Sequence, residues 1–294
     1  MRNTTGAPYS TVPPLSPSQQ KQIAGTTIVI KYGGAALERQ ALKEPTIKDI
    51  ASLQQAGARI VLVHGGSRQL DERMKKINLP IKSINGLRYT CAKTIEEAKV
   101  IFDEINAEIV QLLEKAGVRA VGLGAEEIWV IKARVKDREI YGYVGEVESV
   151  DVNRLKAIMK QGKIPVIYAL GKTTDGQVLN INADDVACAV ASALHADKFL
   201  LITDVEGVFK NAKDPSSLMQ CIDDEEIEKI LKEHIVSKGM IPKLEACLEA
   251  IKSGVSAVHI LSAQQPHALT SEIIGTSNYG TRIQRGKPRI PATR

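Results

Sequence analysis

Six short apolar runs recur along this chain, with helical patterns between them. They are TIVIK (27–31), RIVLV (59–63), RAVGL (119–123), IPVIYAL (164–170), KFLLIT (198–203) and AVHIL (257–261). A strand with one wet face alternates apolar and polar residues, so runs as continuous as these predict strands buried on both faces. Between them, Ile101, Ile105, Ile109 and Leu112 or Leu113 recur at helical spacing over 96–116, and 243–252 reads as an amphipathic helix stopped at Gly254. Strands alternating with helices predict an α/β fold, a three-layer αβα sandwich around a mostly parallel central sheet. In such sheets ligands lie at the carboxyl ends of the strands.

Those ends carry the unusual residues. The first run ends in Lys31-Tyr32-Gly33-Gly34, the second in His64-Gly65-Gly66-Ser67 and the fifth in Thr203-Asp204. A glycine pair between strand and helix lets backbone N–H groups approach an anion with no Cβ in the way, and the helix N-terminus adds favourable potential. One pair alone is equally well explained by a tight turn. Two pairs and a lysine point to phosphate or carboxylate binding, and His64 reads as a histidine packed in its turn. The familiar nucleotide fingerprints are missing. Gly171-Lys172-Thr173 resembles the end of a P-loop, but the required first glycine falls on Val166. No GxGxxG follows a strand, and there is no HRD or DFG set.

Charge and composition narrow the partners. The net charge is +5 over 294 residues, and lysines are interleaved with acids, as in DDEEIEKILKEHI (223–235), which describes a solvated helix face and not a nucleic-acid surface. Aromatic residues are only 4% of the chain, so packing rests on Ile, Val, Leu and Ala. No stretch is long and apolar enough to span a membrane, and no apolar leader opens the chain. Cys91, Cys188, Cys221 and Cys247 are scattered without a CxxC pair, as expected for reduced, mostly buried thiols of a cytoplasmic protein without a protein-held metal. Residues 1–25 form a polar, proline-rich arm in which Ser16 and Pro17 can start a short helix, and the main domain is expected over 26–294.

Three further segments, SINGLRYT (83–90), VLNINADDVACAVASAL (178–194) and KGMIPKLEACLEAI (238–251), complete an ordered set with the two strand-end turns. Together with Thr203-Asp-Val-Glu-Gly207, YVGEV (143–147) and PHAL (266–269), the set resembles the amino-acid kinase family and, within it, the N-acetylglutamate kinases, over about residues 26 to 284. The resemblance implies the amino-acid kinase fold, with an acyl-amino-acid lobe over about 26–192 and a nucleotide lobe over about 193–294. It implies ATP-dependent phosphorylation of the side-chain carboxylate of N-acetyl-L-glutamate in arginine biosynthesis, with Mg²⁺ held mainly through the ATP phosphates. Lys31 and Lys243 then face the transferring phosphoryl group, with Asp184 holding both ammonium groups. Arg88 clamps a substrate carboxylate, Asn180 meets the N-acyl group, and Gly65 and Gly66 add backbone donors. The nucleotide falls to Gly33, Gly34, Thr203, Asp204, Gly239 and Met240. A homo-oligomer, at least a dimer, is expected.

Several positions depart from the family pattern. Ser67 stands where a third glycine is common, and VGLGAEEIW (121–129) replaces a stretch close to VGLSGKDG, bringing in Gly124, Glu126 and Glu127. DEINAE (103–108) keeps Asn106 but loses two lysines. These changes lower the positive charge near a dianionic substrate. The segment 266–283 is similar to the one that arginine-sensitive members use for the inhibitor, with His267, Glu272, Gly280 and Thr281 kept, and with Gly275, Asn278 and Arg282 differing. Arginine is therefore a candidate effector. Two alternatives stay open on the sequence alone: a kinase for a related N-acyl acidic amino acid, and a weakly active regulatory or sensing member.

Overall fold

The computed structural model describes residues 15–124, 129–211, 213–233, 235–236, 239–264, 267–275 and 279–286. A short helix α1 (Pro17–Ile23) precedes β1 (Thr27–Tyr32), and α2 (Ala35–Glu38), α3 (Gln40–Gln55), β2 (Arg59–His64) and α4 (Ser67–Lys76) follow. A hairpin of β3 (Ser83–Ile84) and β4 (Leu87–Arg88) leads into the long α5 (Ala92–Lys115) and β5 (Arg119–Leu123). Next come β6 (Ile131–Val135), α6 (Arg138–Tyr141), β7 (Gly145–Val150), α7 (Val152–Lys160), β8 (Lys163–Tyr168), β9 (Leu170–Lys172) and β10 (Val178–Asn180). The remainder holds α8 (Ala183–Leu194), β11 (Lys198–Thr203), β12 (Cys221–Asp223), α9 (Asp224–Lys232), α10 (Ile241–Lys252), β13 (Ala257–Ser262), α11 (Ala268–Ile274) and β14 (Gly280–Gln284).

Eight strands form the central sheet in the order β12-β14-β13-β11-β1-β2-β8-β5. The six strands from β13 to β5 are mutually parallel. β14 runs antiparallel to β13, and β12 pairs parallel to β14, so this edge of the sheet is reversed. The six parallel strands are the six apolar runs. Alternate residues of each strand enter different cores: Val29, Val61, Phe199 and Leu201 pack with α4, α7, α8, α9 and α10 on one face. Ile28, Ile30, Ile60, Leu62, Leu200 and Ile202 pack with α1, α2, α3 and α11 on the other. Both faces are largely dry along the five inner strands, which is why these carry no polar alternation, whereas β5, at the sheet edge, is only partly buried apart from Leu123.

One boundary differs from the sequence expectation. The run 164–170 is not a single strand: β8 ends at Tyr168, and Leu170 begins β9, which belongs to a second sheet of order β10-β9-β6-β7. The chain bends at Ala169, which lines the cleft described below. The helix at the N-terminal arm forms as read, with a capping box in which Ser16 Oγ accepts from Gln19 N–H and Gln19 Oε1 accepts from Ser16 N–H. Of the cysteines, only Cys188 and Cys247 are buried, Cys91 is partly so and Cys221 is exposed. No helix among the described residues is long and apolar enough to cross a membrane.

Parallel pairing puts the ends of β1, β2, β8 and β11 on one edge of the sheet, with Tyr32 opposite His64 and His64 opposite Tyr168. The second of these ends is packed tightly. A Cβ on Gly66 would lie 2.7 Å from Phe102 Cε1 and 2.8 Å from Ile105 Cδ1, so α5 approaches the turn closely enough to require glycine there. Gly66→Ala is expected to cost about 1–3 kcal/mol by overpacking. Urea unfolding checks this, with partial recovery expected when Phe102→Leu is added to the variant.

Candidate active site

At this edge lies a cleft of about 310 Å³. It is lined by Lys31, Gly33 and Gly34 from the end of β1, Gly65, Gly66, Ser67 and Arg68 from the end of β2, and Gly86 and Arg88 from the hairpin. Asn180 at the end of β10 and Asn182 and Asp184 at the start of α8 complete it. Four segments distant in sequence thus contribute to one concavity.

Asp184 sits at its floor, in the first turn of α8, where the unsatisfied N–H groups favour negative charge. Asn182 caps that helix, its side-chain oxygen accepting from Asp184 N–H at 2.7 Å. The carboxylate meets two ammonium groups, Lys31 Nζ at 3.1 Å on Oδ1 and Lys243 Nζ at 2.6 Å on Oδ2. Lys31 comes from β1, and Lys243 from the first turn of α10, which packs against α8. Burial by itself would raise the Asp184 pKa, but the two lysines outweigh it and hold the carboxyl at about 2. Only 8% of the Asp184 side chain is exposed, against 13% for Lys31 and 21% for Lys243. Asp184 is therefore an ionised anchor at neutral pH, and it turns two like charges toward one place.

The second glycine turn has its own brace. His64 is fully buried, and burial pushes its pKa down to about 4 against the pull of its bond to the Gly65 carbonyl. The neutral ring donates from Nδ1 to Gly65 O at 2.8 Å and accepts at Nε2 from the Asn106 amide at 3.0 Å. The Asn106 amide also donates to Val166 O at 3.0 Å. A histidine packed in its turn is what the sequence suggested. That Asn106 on α5 locks its tautomer was not legible, because the two residues are neighbours only across the fold.

Arg88 lies on β4 at the cleft, but its guanidinium is not free. It pairs with Asp71 Oδ1 at 2.5 Å and donates to Ser67 O at 3.0 Å, so the loop bearing Ser67 and α4 set its orientation. The Asn180 amide donates to Thr90 Oγ1 at 3.1 Å. Thr203, Asp204, Gly239 and Met240 do not line this cleft: Thr203 ends β11 and Asp204 follows it, Met240 is buried in the core beneath α10, and a Cβ on Gly239 would meet nothing. His267, Glu272 and Gly280 lie elsewhere again. His267 Nδ1 donates to Asp49 at 2.9 Å, His259 Nδ1 donates to Glu272 at 2.8 Å, and a Cβ on Gly280 would run into the Ile260 carbonyl. Glu126, Glu127 and Asn278 fall outside the described residues. Sequence reasoning missed Asp71, Glu38 and Arg68, whose pairings are long-range and leave no local pattern.

Two lysines gathered on one carboxylate at the strand ends of a parallel sheet define an α/β enzyme that handles anionic small molecules. The comparisons make this specific. The model of the amino acid kinase family matches residues 26–262. The acetylglutamate kinase of Thermosynechococcus vestitus is 41% identical over 261 residues, 88% of this chain and 88% of that one. The acetylglutamate kinase of Clostridioides difficile is 38% identical over 263 residues, 89% of this chain and 92% of its own. Among solved structures, the N-acetylglutamate synthase of Neisseria gonorrhoeae complexed with coenzyme A and N-acetyl-glutamate superposes with a TM-score of 0.82 at 23% identity. That match covers 92% of this chain and 62% of the longer synthase, and it bears on the fold alone. The chain belongs to the amino acid kinase family.

The electrostatics give a pH signature. The folded pKa of Asp184 lies below its ordinary value of 3.8, so its contribution is present above about pH 4 and lost as pH falls toward 2. His64 is also depressed, so its neutral burial costs stability as pH falls from 6.5 toward 4. Asp184→Asn is expected to destabilise by up to about 3–5 kcal/mol at pH 7, by leaving two largely buried ammonium groups without their anion. Stability measured by denaturant at each pH should fall less for this variant than for the parent between pH 4 and 2, with equal falls between 6.5 and 4.

Proposed function

We propose that this protein phosphorylates the side-chain carboxylate of N-acetyl-L-glutamate with ATP, giving an acyl phosphate in arginine biosynthesis. The carrying observation is the convergence of Lys31 and Lys243 on Asp184 at 3.1 and 2.6 Å, beside two glycine turns. The acetylglutamate kinases to which the chain is similar support the choice of substrate.

The chemistry follows from the charges. A carboxylate oxygen of the substrate attacks the terminal phosphorus, the bond from that phosphorus to the bridging oxygen breaks, and ADP leaves with the bridging oxygen. The acceptor is already ionised at neutral pH, so the step requires no general base. Asp184, held at about 2, is unsuited to be one. What the step requires is two anions brought together and stabilisation of the charge spread over the transferring group. Lys31 and Lys243 supply that positive charge, and Asp184 fixes their positions before the substrates arrive.

Gly33 and Gly34 give the phosphates close access to backbone N–H groups, and Gly65 and Gly66 do the same from the neighbouring strand. Arg88, pre-oriented by Asp71 and the Ser67 carbonyl, takes a substrate carboxylate with its remaining donors. Asn180 lies across the cleft to meet the acyl group. Mg²⁺ would neutralise phosphate charge. Both oxygens of Asp184 already face ammonium groups, so its ligands fall to the phosphates and water. The nucleotide extends toward β11 and the start of α10, where Thr203, Asp204, Gly239 and Met240 lie, which divides the chain into an acyl-amino-acid part before about 192 and a nucleotide part after it. Self-association and an arginine response through His267, Glu272 and Gly280 rest on the family resemblance.

In a coupled ADP-release assay, Lys243→Ala should lose about 10²–10³ in kcat with little change in ATP affinity. Near-normal turnover would remove Lys243 from the mechanism. Arg88→Lys keeps the charge but not the planar fork, so KM for N-acetyl-L-glutamate should rise at least about tenfold while KM for ATP is unmoved. Equal rises in both would assign Arg88 a structural role.

A further inference from the structure

Arg68 is the second residue of α4, directly beyond the second glycine turn, and it lines the cleft. Its Nη1 donates to Glu38 Oε2 at 2.5 Å and its Nη2 to Asp204 Oδ2 at 3.1 Å. Glu38 closes α2, just after β1, and Asp204 follows β11. In the sheet β11, β1 and β2 are neighbours, so this side chain reaches from the end of β2 to that of β11 and passes the first glycine turn between them. Asp204 packs against that turn, for its carboxylate occupies the space that a Cβ on Gly34 would need.

Three features make this more than a surface ion pair. First, the guanidinium stays open, with 59% of the side chain exposed although two carboxylates hold it. Two of its five N–H donors serve those carboxylates, which leaves a planar fork for a further anion. Second, its two partners are unequal. Glu38 is 19% exposed at the shorter distance, whereas Asp204 is 42% exposed at the longer one, so releasing Asp204 to water costs less. Third, without Arg68 two acids would stand at the entrance beside the turn assigned to phosphate, and a polyanion approaching it would be repelled.

We propose that Arg68 is a nucleotide-binding residue that takes an oxygen of the phosphate chain by exchanging Asp204 for it while keeping Glu38. The inference rests on the assignment of ATP to this cleft. Glu38 then orients the guanidinium as Asp71 orients Arg88, and the cleft holds one carboxylate-steered arginine for each anionic substrate. Without nucleotide, the same side chain ties three strand-end turns together.

Isothermal titration of the full chain with ATP, ADP and AMP tests this without turnover. Arg68→Gln should weaken ATP by at least about tenfold, and the loss should shrink in passing to ADP and again to AMP. Arg68→Lys, a point charge without the fork, should fall between parent and Arg68→Gln. The KM for N-acetyl-L-glutamate should hold in both variants. Equal losses for ATP and AMP, or undiminished ATP affinity, would overturn the proposal. So would a rise in KM confined to the acyl amino acid, which would place Arg68 on the other substrate. A parent chain that binds no ATP would overturn both this inference and the assignment beneath it. Phosphate-graded losses in a chain that does not phosphorylate N-acetyl-L-glutamate would instead uphold Arg68 and overturn the choice of acceptor.

Discussion

A single buried carboxylate between two ammonium groups sets the terms for the rest of this molecule. Each ion alone would be costly to withdraw from water, and two lysines alone would repel each other. Asp184 resolves both problems, and its low pKa records how strongly the lysines hold it in the charged form. The arrangement also fixes architecture, because the three groups come from a strand and two helices. β1 must carry Lys31 to the sheet edge, α8 must begin with Asp184 at that edge, and α10 must lie against α8 with Lys243 in its first turn. Any shift of these elements separates charges that have few other partners.

Around this centre, the sheet provides convergence and the glycines provide access. Parallel strands deliver their carboxyl ends to one edge, and the turns there are small because larger residues would not fit. At Gly66 the obstacle is a pair of side chains on α5, and at Gly34, whose φ is +61°, it is both the backbone conformation and the Asp204 carboxylate. Rigidity comes from beneath. The neutral His64 ring, the Asn106 amide and the Val166 carbonyl form a buried chain with no net charge, which holds the second turn without competing for an anion. The same logic repeats at the rim, where Asp71 steers Arg88 and Glu38 steers Arg68.

Much of the frame was legible in the sequence. The five inner parallel strands are buried on both faces, so their apolar runs stand out, and Lys31, the glycine pairs, the cap of α1 and the glycine stop after α10 are local signals. The second sheet was not legible. β7 reads GEVESV with its charged residues facing solvent, β9 and β10 are three residues each, and the apolar run that spans β8 and β9 hides the bend at Ala169. β12 and β14, which reverse the sheet edge, are short and give no clear alternation. α3 carries Pro45 in its interior, which argues locally against a helix. In the cleft, Lys31, the glycines, Arg88, Asn180 and Asp184 were readable from motifs, while Arg68 and the steering partners were not. Asp71, Glu38 and Asn106 act across turns and between helices, and only the folded chain brings them to Arg88, Arg68 and His64.

The account turns on Asp184 being ionised because two lysines hold it. Carbon-13 NMR of the side-chain carboxyl of Asp184, followed through an acid titration, measures this directly. The expected midpoint is about 2, rising when either Lys31 or Lys243 is replaced by methionine. A midpoint at or above the ordinary 3.8, or one unmoved by both replacements, would contradict it.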